Sequence, residues 1–265
     1  MHSSAQPASA AAPGDSFVQS FARGLAVIRS FSAESADQTL SEVAERTGLT
    51  RASARRILLT LQTLAYVEQQ DKRFRLTPKI LDLGFAYLSS LPLWNLAEPV
   101  MSRLVSDVQE SCSAAVLEGS DIVYVLRVPT QKIMSINLGV GSRLPAYCTS
   151  MGRVLLAGLP RAQLAALLGK RRLPRLTRHT VTDPKQLLKL VDAAREQQWC
   201  LVCEELEEGL VSLSVPLLDR GGQYVAAMNV SSQLNRTPPA YMIEHFLPKL
   251  KAAAAEISSM LRVKA

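Results

Sequence analysis

The chain has 265 residues, of which 48% are hydrophobic, and its formal net charge is +7 with a sequence pI of about 9.4. The apolar content is sufficient for two folded domains, and the basic charge favours a polyanionic partner. No apolar run approaches the roughly 20 residues of a membrane-spanning helix, and residues 1–16 lack the apolar core of a secretory signal. We therefore predict a disordered tail over 1–16 and a cytoplasmic protein without a membrane partner, whose four cysteines stay reduced.

Residues 17–64 have the periodicity of three successive helices. The first is predicted over Phe17–Phe31. The second begins near Thr39 or Ser41, either of which can cap it, and ends at Gly48. Thr50 caps the third helix, which has apolar residues at helical spacing and three arginines in its first six positions. A glycine turn between two short helices, the second of them basic, is typical of a DNA-reading helix-turn-helix.

The segment after the third helix predicts a wing, with strands at Tyr66–Glu68 and Phe74–Leu76 around the turn Gln69–Arg73. A recognition helix enters the major groove with its N-terminal turn, so that turn needs donors for bases and phosphates. The alternative is a solvated basic helix in an ordinary helical domain, which the wing makes less plausible. Residues 17–76 are therefore predicted to be a winged helix-turn-helix domain. Its candidate contacts to double-stranded operator DNA are Arg51, Ser53, Arg55, Arg56, Lys72 and Arg73.

Residues 77–92 predict a linker containing a helix at Lys79–Leu88, and residues 93–265 predict a second domain. The expected helices of that domain are Leu96–Gln109, Ser150–Leu159, Arg161–Leu168, Pro184–Gln198 and Pro239–Arg262. The expected strands are Ser113–Leu117, Ile122–Val128, Ile133–Leu138, Trp199–Cys203, Val211–Leu217 and Tyr224–Val230. Strands on both sides of a block of helices favour an α+β fold with a mostly antiparallel sheet.

The start of the helix at Ser150 is a candidate anion site. The loop Pro145–Thr149 delivers the chain to this helix, whose first backbone amides have no partner within the helix and lie at its positive dipole end. Such a position suits the carboxylate of a small ligand. Arg143 either completes a charge-assisted clamp there or is an ordinary surface arginine.

Several segments resemble the IclR family of bacterial transcriptional regulators over nearly the whole chain. They are FARGLAVIRSF (21–31), GLTRASARRIL (48–58), GSRLPAYCTSMGRVLLA (141–157), EELEEGLVSLSVPL (204–217) and AAMNVS (226–231). The third segment is similar to the branch that regulates aromatic acid degradation through the β-ketoadipate pathway. The resemblance implies a winged helix, a linker helix and a C-terminal GAF-like effector-binding domain. It also implies homodimers, often paired into tetramers, on palindromic promoter sites.

The resemblance further implies a pocket for a small organic acid, either an aromatic acid or a ring-cleavage product. Matching the family's pocket motif onto this sequence and adding Arg143 gives the candidate effector-binding residues Ile133, Ile136, Arg143, Ser150, Met151, Val202, Ser212, Asn229 and Ser231. Four glutamates at 204, 205, 207 and 208 precede one of these strands. They are interpreted as a solvated loop, or as acids that orient Arg143 or Arg153.

Cys200 and Cys203 form a C-x-x-C pair, so a metabolite-binding module with a redox switch is the alternative function. The pair lies within an apolar strand rather than at a strand–helix junction, and no second C-x-x-C supplies ligands for zinc. Ser150 lacks a G-x-S-x-G frame, and no phosphate-binding loop is present. The sequence therefore predicts a regulator without a metal or cofactor, and not an enzyme.

Overall fold

The computed structural model describes residues 16–90, 93–130, 138–169 and 173–264. For residues 87–90, 93–94 and 262–264, only the backbone is described. The chain divides into two compact units, and the boundary between them falls between Tyr87 and Leu88. The predicted tail lies outside the described residues except for Ser16. Within the described residues, no helix is long and apolar enough to cross a bilayer.

Three helices form the first unit: α1 (Gln19–Arg29), α2 (Leu40–Thr47) and α3 (Arg51–Thr63). Thr39 is the N-cap of α2, where its hydroxyl accepts from the Glu42 amide and the Glu42 carboxylate accepts from the Thr39 amide. Gly48 ends α2 in the left-handed conformation, with a φ of 64°. Thr50 caps α3 by accepting from the Ser53 amide at 3.2 Å. Local capping chemistry thus fixes the turn between α2 and α3.

A three-stranded antiparallel sheet completes the first unit, in the order β1 (Asp37–Thr39), β3 (Arg73–Leu76), β2 (Val67–Gln70). Strands β2 and β3 are the predicted wing, whereas β1 was not predicted, because three polar residues carry no strand periodicity of their own. Phe74 of β3 packs with Val27, Val43 and Leu58 of the three helices. This core fixes α3 against the wing.

Helix α4 (Leu81–Ser90) follows a 3-10 turn at Pro78–Ile80 and replaces the helix expected at Lys79–Leu88. The shift has a local cause, because Thr77 caps the 3-10 turn and Pro78 begins it. Helix α4 crosses the boundary between the two units.

Six of the described strands of the second unit form one antiparallel sheet in the order β6-β5-β4-β9-β8-β7. These are β4 (Ser111–Glu118), β5 (Asp121–Val128), β6 (Arg143–Pro145), β7 (Cys200–Cys203), β8 (Leu210–Leu218) and β9 (Tyr224–Gln233). Except for β6, each had been predicted to within a few residues. The strand expected at Ile133–Leu138 lies outside the described residues apart from Leu138.

Helices cover both faces of this sheet, which confirms the predicted α+β class. One face packs against α5 (Leu93–Val108) and α10 (Leu247–Lys264), which continues from α9 (Pro239–Tyr241) through a π-helical turn. The other face packs against α6 (Ser150–Ala157), with α7 (Arg161–Gly169) and α8 (Pro184–Gln197) in the same apolar cluster. Each face of the sheet has its own buried core.

Candidate functional site

The N-terminal turn of α3 presents a basic surface. Arg51, Arg55 and Arg56 are exposed, and none of them forms an ion pair within the part of the chain that the structure describes. Arg51 and Arg55 are four residues apart and therefore lie on one edge of α3. Ser53 and Arg56 line the groove between α3 and α1 instead. The predicted DNA contacts on this helix thus occupy two adjacent edges.

The two predicted wing contacts have different environments. Lys72 is exposed at the tip of the wing. Arg73 donates to the Asp37 carbonyl oxygen at 3.0 Å and lies 3.6 Å from the Glu42 carboxylate. The Arg73 guanidinium therefore helps to join β1 and α2 to the wing, and contact with a phosphate would compete with these partners.

A cavity with an empty volume of about 560 Å³, including its opening, lies between the start of α6 and one face of the second sheet. Of the predicted effector-binding residues, Ser150, Met151, Val202, Ser212, Asn229 and Ser231 line it. Ile133 and Ile136 lie outside the described residues. The structure thus brings together six predicted residues from α6, β7, β8 and β9.

Hydroxyl and amide groups form a connected network on this wall. The Ser150 Oγ lies 2.8 Å from the Ser212 Oγ and 2.6 Å from the Ser214 Oγ. The Asn229 Nδ2 donates to the Ser212 Oγ at 2.9 Å and to the Ser231 Oγ at 2.8 Å. Serine hydroxyls can rotate between donor and acceptor roles. The wall can therefore exchange internal hydrogen bonds for bonds to a polar ligand.

The first turn of α6 is held tightly against the preceding 3-10 turn, Ala146–Cys148. Thr149 caps the helix by accepting from the Gly152 amide at 3.2 Å. A Cβ atom built on Gly152 would lie only 2.1 Å from the Ala146 carbonyl oxygen, so this position excludes any side chain. Glycine at 152 therefore permits the close packing that sets the helix start at the cavity.

A buried ion pair between Arg153 of α6 and Glu205 also holds the start of this helix in place. The Arg153 Nη2 donates to the Glu205 Oε2 at 2.6 Å, and the two side chains are 3% and 8% exposed. Arg153 also donates to the Tyr147 carbonyl oxygen, and the Val181 amide donates to Glu205. One of the two sequence interpretations of the glutamates is thus correct for Glu205, which orients Arg153. The Arg153–Glu205 pair therefore joins α6 to the loop after β7.

Arg143 does not line the cavity, contrary to the clamp interpretation. It begins the edge strand β6, where its guanidinium lies 2.5 Å from the Glu118 carboxylate and 3.5 Å from that of Asp121. These carboxylates also raise its pKa. The reason is the strand itself: β6 pairs with β5, so Arg143 is placed beside the β4–β5 turn rather than beside α6.

Sequence reasoning missed Arg127 and Tyr124 of β5, both of which line the cavity. Burial raises the pKa of Tyr124 to about 12, although the nearby Arg127 charge acts in the opposite direction. Arg127 is the one charged side chain within the apolar segment 122–128, and this interruption was the available signal. Ser113 and Leu138 add further lining that sequence reasoning did not identify.

The C-x-x-C pair does not have the geometry of a redox switch. Cys200 belongs to the apolar cluster on the cavity face of the sheet, whereas Cys203 packs against the cluster on the opposite face. Burial raises the pKa of the Cys200 thiol to about 11 and also raises that of Cys203. Because residues three apart in a strand point to opposite faces, the two sulfur atoms are separated by the sheet.

Two family models match the chain. The IclR helix-turn-helix domain matches residues 20–71, and the C-terminal domain of the bacterial transcriptional regulator IclR matches residues 85–259. The Pca regulon regulatory protein of Pseudomonas putida is 42% identical over 246 residues, which cover 92% of this chain and 84% of the relative. The p-hydroxybenzoate hydroxylase transcriptional activator of Acinetobacter baylyi is 36% identical and covers 93% of both chains.

Among solved structures, an IclR homologue from Microbacterium hydrocarbonoxydans in complex with 4-hydroxybenzoate is similar, with a TM-score of 0.84. Its sequence is 27% identical, and the match covers 93% of this chain and 100% of the homologue. These relatives are regulators and not enzymes, and they confirm the resemblance to the aromatic acid branch. The chain belongs to the IclR family of bacterial transcriptional regulators, and its first unit is a DNA-binding helix-turn-helix domain.

Proposed function

We propose that this regulator is controlled by a small organic acid, an aromatic acid or a ring-cleavage product, bound in the cavity beside α6. The observation that carries the proposal is the polar network of Ser150, Ser212 and Asn229 in an otherwise largely apolar cavity. Such a combination suits a compact ligand with an apolar body and polar ends. The 4-hydroxybenzoate complex of the Microbacterium homologue supports this class of ligand.

The ligand acts by favouring one of two conformations that differ in DNA affinity. A ligand can shift such an equilibrium only as far as its affinities for the two states differ. Ser150 begins α6 and its hydroxyl contacts two serines of β8, so occupation of the cavity changes bonds that join a helix to the sheet. Helix α4, which crosses from one unit to the other, is the element through which this change reaches the DNA-binding domain.

We also infer that the protein acts in the cytoplasm as a homodimer, or as a pair of dimers, on a palindromic operator. Large apolar side chains are exposed on α1 and α4, among them Phe21, Leu81 and Phe85 at 69%, 70% and 68%. Exposed apolar side chains in such numbers favour an interface with a second copy. The operator contacts are proposed to come from Arg51, Ser53, Arg55, Arg56 and Lys72, with Arg73 supporting the wing.

A panel of ligands tests the proposed effector class. Thermal unfolding is measured with hydroxylated benzoates, with aliphatic dicarboxylates and with matched neutral amides. A ligand that binds only the folded protein raises the midpoint temperature, so we expect at least one acid to do so and its amide to have less effect. If no acid in the panel raises the midpoint temperature at millimolar concentration, the proposal is contradicted.

A further inference from the structure

Arg127 reaches the cavity because the pairing of β4 with β5 contains a bulge. Ala115 pairs with Tyr124 and Ala114 with Leu126, so Val125 is an extra residue on β5. Val125 and Leu126 both pack against the core on the opposite face. The bulge therefore places Tyr124 and Arg127, three residues apart, on the same cavity face, which a regular strand could not do.

The charges around the cavity are distributed unequally along the sheet. Arg127 lies on β5, whereas Glu204 and Glu205 follow β7, and three strands separate β5 from β7 in the sheet. Glu205 pairs with the buried Arg153, whereas the Glu204 carboxylate accepts from the Gly209 amide and lies 3.6 Å from the His179 imidazole. Among the residues that line the cavity, the arginine is therefore on the β5 side and both glutamates are on the β7 side, so an anion is attracted toward Arg127 and repelled by the glutamates.

Polar groups of the cavity wall lie beside Arg127. Arg127 pairs directly across the sheet with Ser113, and the Ser113 amide donates to the Asn229 Oδ1 at 3.1 Å. The phenol of Tyr124 lies on the same face, near enough for the Arg127 charge to act on it. The half-buried guanidinium thus stands at one end of the hydrogen-bonding network, where water is partly excluded and a charge-assisted bond is stronger.

We propose that Arg127 binds the carboxylate of the effector and makes the cavity selective for acids over neutral analogues. This inference rests on the proposed function, since it assigns the ligand's charged end within the same cavity. It also sets the ligand's orientation, with the carboxylate at β5 and the opposite end toward β7. The amides at the start of α6 and the serine hydroxyls then serve the ligand's uncharged portion.

Arg143 provides a matched control for this assignment. It too is an arginine near the β5 edge of the sheet, but its partners are Glu118 and Asp121 and it lies outside the cavity. Substitution with methionine removes the charge from either arginine and keeps most of the side-chain volume. The experiment measures binding of 4-hydroxybenzoate and adipate by calorimetry to the full-length wild type, Arg127→Met and Arg143→Met, and repeats it with 4-hydroxybenzamide.

Whichever acid binds the wild type should bind Arg127→Met about tenfold or more weakly, as expected for loss of a charge-assisted bond. Arg143→Met should bind within about twofold of the wild type, since surface pairs contribute little. The preference for the acid over the amide should disappear in Arg127→Met and return in part in Arg127→Lys. Unfolding midpoints without ligand verify that each variant is folded.

The outcomes separate the two proposals. If Arg127→Met binds the acid as tightly as the wild type, or if it weakens the amide equally, the assignment of the carboxylate to Arg127 is wrong. The effector cavity itself would then still stand. If neither of these acids nor any other acid of the ligand panel binds the wild type, the proposed effector class is wrong, and the assignment to Arg127 fails with it.

Discussion

Ser150 is the residue at which helix α6 and the sheet share hydrogen bonds. It is 2% exposed, and its hydroxyl contacts those of Ser212 and Ser214. Because it also lines the cavity, a ligand bound there can bond to this hydroxyl in place of Ser212 or Ser214. Its position makes Ser150 the most direct probe of effector binding.

Replacing Ser150 by leucine should abolish the ligand response while operator binding remains within about twofold of wild type. The larger apolar side chain fills the cavity and removes one hydrogen-bond partner from each of Ser212 and Ser214. Thermal shift with the best acid of the panel and anisotropy with an operator fragment measure the two properties. Ser150→Ala, which leaves the cavity open, is the matched control. A normal ligand response in the leucine variant would remove Ser150 from the binding site.

At the scale of elements, two features hold the start of α6 in place: the close packing of Gly152 against the preceding 3-10 turn, and the buried Arg153–Glu205 pair, which joins α6 to the loop after β7. A buried pair adds little net stability when intact, yet removal of one partner leaves an uncompensated charge. An exposed pair of the same length behaves differently, because water stabilises each charge by itself. The chain contains a buried pair, Arg153–Glu205, and an exposed pair of the same length, Arg103–Glu256.

Arg153→Met should therefore destabilise the second unit by about 3–5 kcal/mol. The matched control is Arg103→Met, since Arg103 contacts Glu256 at the same 2.6 Å but is 61% exposed. We expect that control to change the free energy of unfolding by about 1 kcal/mol or less. Urea unfolding followed by circular dichroism measures both. Equal effects of the two substitutions would show that burial of the Arg153 pair has no energetic consequence.

Helix α3 carries the second element-scale prediction. Arg56→Ala should weaken operator binding and reduce the slope of log affinity against log salt by about one, because one phosphate contact is lost. Ligand affinity should not change, since Arg56 lies in the first unit. Arg220→Ala removes one positive charge from an exposed turn of the second unit and serves as the control. Equal salt slopes for the two variants would place Arg56 outside the DNA interface.

At the scale of the whole molecule, the apolar side chains exposed on α1 predict assembly. Phe21→Glu should shift the sedimentation coefficient toward that of a monomer, because a charge cannot be buried in an apolar interface without a partner. Ala26→Glu adds the same charge to another side of α1 and should leave the assembly unchanged. Circular dichroism verifies the fold of both variants. A wild-type protein that sediments as a monomer at micromolar concentration would contradict the dimer.

Local chemistry made much of the first unit predictable. Thr39, Gly48 and Thr50 determine helix ends through hydrogen bonds and backbone conformation within a few residues. These interactions are complete within one segment, so their sequence signature is direct. The same reasoning located the start of α6 at Ser150. The strands of the second sheet followed from their apolar runs.

The sequence by itself determined the winged helix and the antiparallel α+β domain, and its resemblance to the IclR family identified six of the residues that line the cavity. Only the tertiary structure decided which arginine faces that cavity. Arg143 and Arg127 are both arginines near strand ends, and their chemistry does not distinguish them. The difference comes from the bulge in β5 and the edge position of β6, which are pairings between segments distant in the chain. Side-chain direction in a sheet depends on such pairings, and a single extra residue reverses it.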